Sequence, residues 1–521
     1  MPHLLTLIDR NPYSPTYGCL DREYWHYRTL DFPCGMSQEG VLSLALLFAR
    51  PFPGNRWQDL QRMRDLAVAG IRFAMKASHK DGTCDDYFPY ERAMGALTFS
   101  TYAFSEAVKI LELQSDDIVQ FMKKRCDHLL AHNESGKLSN HQALSALTLY
   151  SVYQLTNDER YRRGAEDRLA RTLSWQHPEE GWFQEYEGAD PGYQTCTIDF
   201  LGKYYQKSGD ASVLEPLKRA ADFCRHFMHP DGSYGGEYGS RNTYHYYPHG
   251  FEILAPHHAP AARLNDQWLQ GAARGKRYHN DDDRMIFHLL HNWLCAWEDY
   301  CPDRPEPPAL KQADATTWLD DAGLLAVRRQ NYYAVAGMKK GGVIKVFDRQ
   351  GCIYSDTGSM GIDEQGSVFV SHLQDAEHQV DARTDELTFS VRGVYSKRKT
   401  KLASPLKLIV FRMLNLTLGR FFPNLLRSLL QKVLITGKNR TTWTFERTLR
   451  FDDSGVTIED RIDPQAPFAT VAAGSDATSI YVAASNVYQE SVITCNWQQA
   501  PQNVLQEDRP WTRRIEPEST A

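Results

Sequence analysis

The chain has 521 residues, of which 42% are hydrophobic and 24% charged, and a net charge of −6. This is globular composition, too long for one ordinary core, so two domains are expected. No charge-free apolar run approaches the ~20 residues of a membrane-spanning helix, and nothing in the charge balance asks for a nucleic-acid partner.

The chain begins MPHLLTLIDRNPYSP, which lacks a basic start followed by an apolar run. Its ten cysteines are scattered, with no CxxC pair. Both features point to a cytoplasmic protein with reduced thiols. Residues 1–36, rich in Pro, Tyr, Asp and Arg, read as an irregular lead-in. Helical periodicity then runs over 37–301. It is plain in Trp57 to Ser78, where Leu60, Met63, Leu66, Ala67, Ile71 and Met75 recur at helical spacing. It continues over 93–113, 116–130, 141–155, 158–175, 194–205 and 211–228 and in MIFHLLHNWLCAW.

Four glycines punctuate this region. Gly82, Gly136, Gly181 and Gly232 lie 54, 45 and 51 residues apart. A period of about 50 fits a helical hairpin with its loops, so five to six stacked hairpins are expected, closing into an incomplete toroid. Each loop after its glycine carries polar and aromatic residues, which places a site on one rim.

The segment PDRPEPP lies in a linker, 302–315, and the texture then changes. Over 316–509, LLAVRRQNYYAVAGMKKGGVIKVF reads as two strands around a KKGG turn. TTWTFERTLRFDDSGVTIEDRI reads as a hairpin turning at Asp453 to Gly455, and the domain as an antiparallel β-sandwich. Residues 510–521 read as a polar tail. One stretch breaks the pattern: Leu387 to Phe445 holds 12 Lys and Arg and no Asp or Glu, leaving −18 on the rest of the chain. Its apolar, cationic part, 405–438, reads either as a peripheral contact with an anionic membrane or as an inserted helix pair packed on the sandwich.

Candidate chemistry follows the glycines. Asn140 and His141, at a helix start, make a carboxylate receptor, or else an N-cap and its neighbour. Tyr193 opens a helix after GADPG and becomes a base if a cation such as Arg241 lowers its pKa, or else packs the rim; Gln194 beside it is a donor. The loop GGEYGSRNTYHYYPHGFE supplies Glu237, Arg241, Asn242, Tyr244 and His245, a polar and aromatic density that favours binding. The first loop offers Asp85, Asp86, Tyr87, Glu91 and Arg92, and the third Trp182, Glu187 and Asp190, which suit stacking on and binding to sugars. His249, His257 and His258 have no ligand spacing, so no metal or other cofactor is assigned.

A helical-hairpin toroid followed by a β-sandwich resembles the heparinase II/III-like and alginate-lyase-like polysaccharide lyases, a superfamily that includes uronate epimerases. The resemblance is architectural over nearly the whole chain; locally it rests on Asn140-His141, on Tyr193 in DPGYQT and on the GSRNTYHYYPHGFE loop. It implies that Asn140 and His141 neutralise a uronate carboxylate and that Tyr193 is base or acid. It also implies His245 or Tyr244 as partner, with Arg241 on the carboxylate. The expected function is abstraction of the proton alpha to a uronate carboxylate in an acidic polysaccharide, by a lyase or an epimerase. The alternatives are a glycoside hydrolase using Asp85, Asp86, Glu91, Glu187 or Asp190, and a non-catalytic polysaccharide-binding or assembly protein.

Overall fold

In the first 300 residues two kinds of helix alternate. Met94–Ile110, Ser139–Thr156 and Pro191–Ser208 are buried on nearly every side. Their small and hydroxyl residues let helices approach closely, and the hydroxyls return to their own backbone: Thr98 Oγ1 donates to Met94 O (2.5 Å) and Ser100 Oγ to Ala96 O (2.6 Å). Between them lie amphipathic helices such as Gln61–Ala77, which buries Met63, Leu66, Ala67, Ile71 and Ala74 and exposes its other face. The computed structural model describes residues 1–134, 136–276, 283–302, 304, 314–398, 404–423, 425–426, 429–430, 439–475, 490–507 and 509–517.

The buried helices form an inner ring: Val41–Ala49, Met94–Ile110, Ser139–Thr156, Pro191–Ser208, Pro248–Leu254 and Met285–Glu298 each pack on the next, and the last returns to the first. Gln61–Ala77, Asp116–Ala131, Glu159–Leu173, Leu214–Cys224 and Ala259–Ala273 stand outside. The toroid is therefore closed rather than incomplete. The lead-in helps to close it, through helix Pro2–Leu7 with Leu4 and Leu7 in the core, and through His3 and Arg22, each 2.7 Å from the Asp283 carboxylate. Residues 1–36 are thus partly helical and structural, not simply irregular.

The four glycines share one conformation, with φ of 84°, 90°, 78° and 84° at Gly82, Gly136, Gly181 and Gly232. The first and fourth turns are close copies. His79 N–H donates to Thr83 O and His229 N–H to Ser233 O, while Asp81 and Asp231 accept from Thr83 and Ser233 N–H. A left-handed residue without a side chain is needed there. After each turn the chain crosses the rim and enters an inner helix, so the inner N-termini gather at one end.

The β-domain is a sandwich. Its smaller sheet is an antiparallel meander of Ala315–Leu319, Leu324–Arg328, Tyr333–Gly337, Val343–Phe347 and Cys352–Asp356. The larger sheet is built around Thr388–Lys397, Arg440–Asp452 and Gly455–Ile462, the last two turning where Asp452 pairs with Gly455 as expected. Strand alternation gives the smaller sheet two apolar faces. Leu325, Val327, Ala334, Ala336, Ile344 and Val346 pack with Phe389, Val391, Leu449 and Ile458 of the larger sheet, while Leu324, Ala326, Tyr333, Val335, Val343 and Phe347 join the core of the toroid.

Three expectations change. The segment around KKGG holds three strands, because Arg329–Tyr332 makes a second turn, in which Arg329 N–H donates to Tyr332 O (2.9 Å). The supposed polar tail contains strand Trp511–Ile515, paired with Gly455–Ile462. Its inward Arg513 reaches Asp356 (2.7 Å) and Asp460, which Arg447 also contacts at 3.0 and 2.6 Å, so a buried quartet of two cations and two anions closes the sandwich. Finally, the described part of the insert makes its contacts with the toroid, where the expected helix pair was to pack on the sandwich. Ser404 caps helix Pro405–Leu414, which continues through a π turn, Asn415–Gly419. Phe411 meets Phe88 (5.8 Å), Arg412 pairs with Asp31 (3.1 Å) and Arg420 lies 5.8 Å over the Tyr90 ring. Residues 431–438 of the insert, and most of the 302–315 linker, lie outside the described residues.

Candidate active site

Asp190 is the anchor of the rim. Its carboxylate caps helix Pro191–Ser208 by accepting from Tyr193 N–H (3.0 Å), and it also accepts from Arg241 N–H (2.8 Å) and the Thr243 hydroxyl. One side chain thereby fixes the third loop to the fourth. Ser240 N–H adds a backbone bond to Ala189 O (2.9 Å).

This anchoring brings Arg241 over Tyr193. The guanidinium carbon lies 3.9 Å from the Tyr193 ring centroid and 4.7 Å from that of Tyr186. Behind it, Arg241 Nη1 is 3.2 Å from Glu185 Oε2, and the other Glu185 oxygen accepts from Asn140 backbone N–H (3.0 Å) and Nδ2 (2.7 Å). Burial pushes the Glu185 carboxyl up, with Arg241 and Asn140 opposing. Burial also raises the Tyr193 phenol above its ordinary range, against the pull of Arg241, so the phenol holds its proton at neutral pH.

His245 meets Tyr193 on another side, rings edge to face at 5.0 Å. It is 2% exposed, and burial, then His288 and Arg241, hold its pKa down at about 3, which keeps the imidazole neutral. His141 is half-buried, with Nδ1 against the buried carboxylate of Glu134. Gly95 makes room for it, since a Cβ there would come within 3.0 Å of His141 Cε1. Phe99 lies beneath, 6.2 Å from His141 and 4.7 Å from His288. His288 pairs with Glu39, which also takes His291 Nε2 at 2.7 Å; burial opposes ionisation of Glu39, but the two histidines hold its carboxyl at about 2.

Tyr193, His141, Arg241 and His245 thus gather at the inner-helix N-termini, and the structure gives the other candidates different work. Asn140 lies inside the first turn, not at the N-cap, and is spent on Glu185. Gln194 is buried, accepting from Phe183 N–H (2.8 Å) and donating to Gly181 O (3.2 Å). Glu91 accepts from Asp86 and Tyr87 N–H and shapes the first loop, while Arg92 pairs with Asp81 (2.6 Å). Tyr87 stays exposed under Arg284 (4.4 Å), and Glu187 is exposed. Trp182 sits at the seam between domains: its Nε1 donates to Glu180, which accepts from Asp321 and Ala322 N–H of the β-domain.

The β-domain grips the fourth loop with two buried lysines. Lys345 pairs with Glu237 (3.0 Å) and stands over the Tyr244 ring (5.6 Å); Lys340 donates to Gly239 O and Asn242 Oδ1. Glu237, Asn242 and Tyr244 are therefore buried supports of the loop. Sequence reasoning passed over Glu134, Glu185, Glu39, His288 and both lysines. A signal existed for His288 and His291, which stand three apart on one helical face.

No protein-family model matches the chain, and no curated protein is similar to it. Among solved structures, the chain is similar to the chondroitin AC lyase of Streptomyces coelicolor A3, seen in complex with chondroitin sulphate. The TM-score is 0.52 at 11% identity, covering 85% of this chain and 64% of that one, so this chain spans less than two thirds of that protein's length. More distant are the heparan sulfate lyase HepC of Pedobacter heparinus (TM-score 0.36, 10% identity, 73% and 55% covered) and the cellobiose 2-epimerase of Bacillus thermoamylovorans (TM-score 0.42, 11% identity, 56% and 95% covered). The first likeness shows a shared fold, a toroid of helical hairpins followed by a β-sandwich.

Proposed function

We propose that this protein is a carbohydrate-active enzyme that removes the proton alpha to a uronate carboxylate in an acidic polysaccharide and eliminates the beta oxygen. The observation that carries the reading is the stack of Arg241 on Tyr193, with the neutral His245 at the Tyr193 edge and the His141–Glu134 pair on the same rim. A proton alpha to a carboxylate becomes removable only when the carboxylate charge is neutralised, and Arg241 supplies that positive charge at a preorganised place. His141, with Nδ1 held by Glu134, presents Nε2 as the base. The electron pair of the broken C–H bond forms the C=C bond, the C–O bond to the departing sugar breaks, and its oxygen takes the Tyr193 proton. Asn140 acts through Glu185 as a positioning residue, and His245 holds the phenol in place.

The hydrolase alternative fares less well. Asp85 accepts from Tyr90 and Arg92 N–H, Asp86 pairs with Arg284, Glu91 and Asp190 are spent on backbone N–H groups, and Glu187 is exposed. A cytoplasmic location belongs to the same reading and is supported by ten cysteines that are all free.

The test is incubation of the full chain with a panel of uronate polysaccharides in heavy water. Rising ultraviolet absorbance from unsaturated ends is the expected result. Deuterium alpha to the carboxylate without absorbance would make the enzyme an epimerase, and new reducing ends without either signal would overturn the reading in favour of hydrolysis.

A further inference from the structure

Eleven of the twenty-one large apolar side chains that stand exposed among the described residues lie between Leu406 and Leu429. They include Leu406 (71%), Ile409 (58%), Met413 (61%) and Phe421 (71%). A surface helix of a water-soluble protein turns one apolar stripe inward and polar residues outward. This one has its inward stripe, in Phe411, Arg412, Asn415 and Gly419, which are half-buried or buried at helical spacing, the first two against the toroid and Gly419 against Leu426 of the insert itself. Its outward side is apolar as well. Leu408, Ile409 and Val410 are consecutive and all exposed, so they cover a wide arc and not a flat seam.

Along the sequence this stretch is one-signed in charge, although Arg412 is met by Asp31 of the toroid and Arg440 by Asp375 and Glu377 of the sandwich. From Leu387 to Phe445 the chain carries 12 cations and no anion. Two copies meeting through this surface would bring like charges together with no acid of the stretch to offset them. An anionic lipid surface is complementary on both counts: phosphates for exposed cations such as Lys407 and an acyl boundary for Leu, Ile, Met and Phe. Helix Pro405–Leu414 has ten residues, about 15 Å of helix against an apolar core of about 30 Å, and among the described residues no helix is long and apolar enough to cross a membrane. Such an element lies in the plane of the interface, about 5–10 Å deep.

We propose that residues 405–430 seat this protein on an anionic bilayer, with the outward apolar side chains in the headgroup region. The seat is tied to the rim by the first loop. Phe88 carries Phe411 and Tyr90 carries Arg420, while Tyr87, just before them in the chain, lies under Arg284. A bilayer bound here lies beside the loop that borders the candidate active site, so polymer held at a membrane surface is presented to it. The seating itself does not depend on the reaction proposed above.

The experiment is flotation of the full chain with vesicles of phosphatidylcholine alone and with added phosphatidylglycerol, at about 0.1 M salt and at several-fold higher salt, where the screening length shrinks. The expected result is binding to the anionic vesicles, weakened by salt. The double substitution Ile409→Glu with Phe421→Glu should lower the partition at least tenfold while leaving the thermal midpoint and activity on soluble polysaccharide unchanged. Absence of wild-type binding, or equal binding of wild type and variant, would overturn the proposal. A wild-type dimer that the double substitution dissolves, with neither protein binding vesicles, would also overturn it and assign the surface to a second copy.

Discussion

Tyr193→Phe separates chemistry from scaffolding at the rim. In the folded protein Tyr193 makes its contacts through its ring, with Arg241 3.9 Å over the face and His245 at 5.0 Å, and through its backbone N–H to Asp190. Phenylalanine keeps all three. The side chain is only half-buried, so the stability change should stay within about 0.5 kcal/mol. In the reaction proposed above, what is lost is the proton for the departing oxygen. Acid–base groups of this kind contribute roughly 10²–10⁴ in rate, or about 3–5 kcal/mol at 1.36 kcal/mol per tenfold. The assay is continuous absorbance of unsaturated product from the best substrate of the panel, alongside urea unfolding of both proteins. Unchanged folding with at least a hundredfold loss of kcat is expected. A variant retaining more than about a tenth of wild-type activity would refute the assignment of Tyr193.

Two further outcomes follow from the buried charges. The folded pKa of His245, about 3, lies below its ordinary value of 6.5, so between these values the unfolded chain binds a proton that the folded chain refuses. Stability should therefore fall as the solution is acidified from about pH 6.5, by roughly 1.4 kcal/mol per unit from this group. In urea titrations His245→Gln should lose about 3 kcal/mol less than wild type between about pH 7 and 4.5; parallel losses would show that His245 is not the group responsible. Arg513→Leu leaves Asp356 and Asp460 facing Arg447 alone, and removal of one partner from a buried charged cluster costs about 3–5 kcal/mol. Unfolding by urea that matched wild type would show the quartet to be dispensable.

The fold was legible where a local rule acts. Gly82, Gly136, Gly181 and Gly232 need a left-handed backbone, and that requirement exposed the repeat. GADPG before Tyr193 announced a helix start, which falls at Pro191 with Asp190 as its cap, because Asp, Pro and Gly each carry a backbone preference. The partners of the candidate site were not legible. Glu185 meets Asn140 and Arg241 from 45 and 56 positions away, because successive hairpins bring their inner N-termini together, and that convergence is a property of ring closure. Strand Trp511–Ile515 was missed because the middle one of its inward residues, between Trp511 and Ile515, is an arginine. Alternation of apolar and polar residues marks a strand only when the core is apolar, and here one core position is occupied by Arg513 against two aspartates.

The smaller sheet is a wall common to two rooms. Leu324, Ala326, Tyr333, Val335, Val343 and Phe347 belong to the toroid's core, and their strand neighbours to the sandwich's. Neither half is then a transplantable module. A toroid cut free at the linker would be left with a bare oily flank, and a sandwich cut free would carry that flank with it, while the loop bearing Arg241 would lose the lysines that brace it. The wall and the rim loop bearing Arg241 are one unit, joined through Lys340 and Lys345, so neither can be moved without the other.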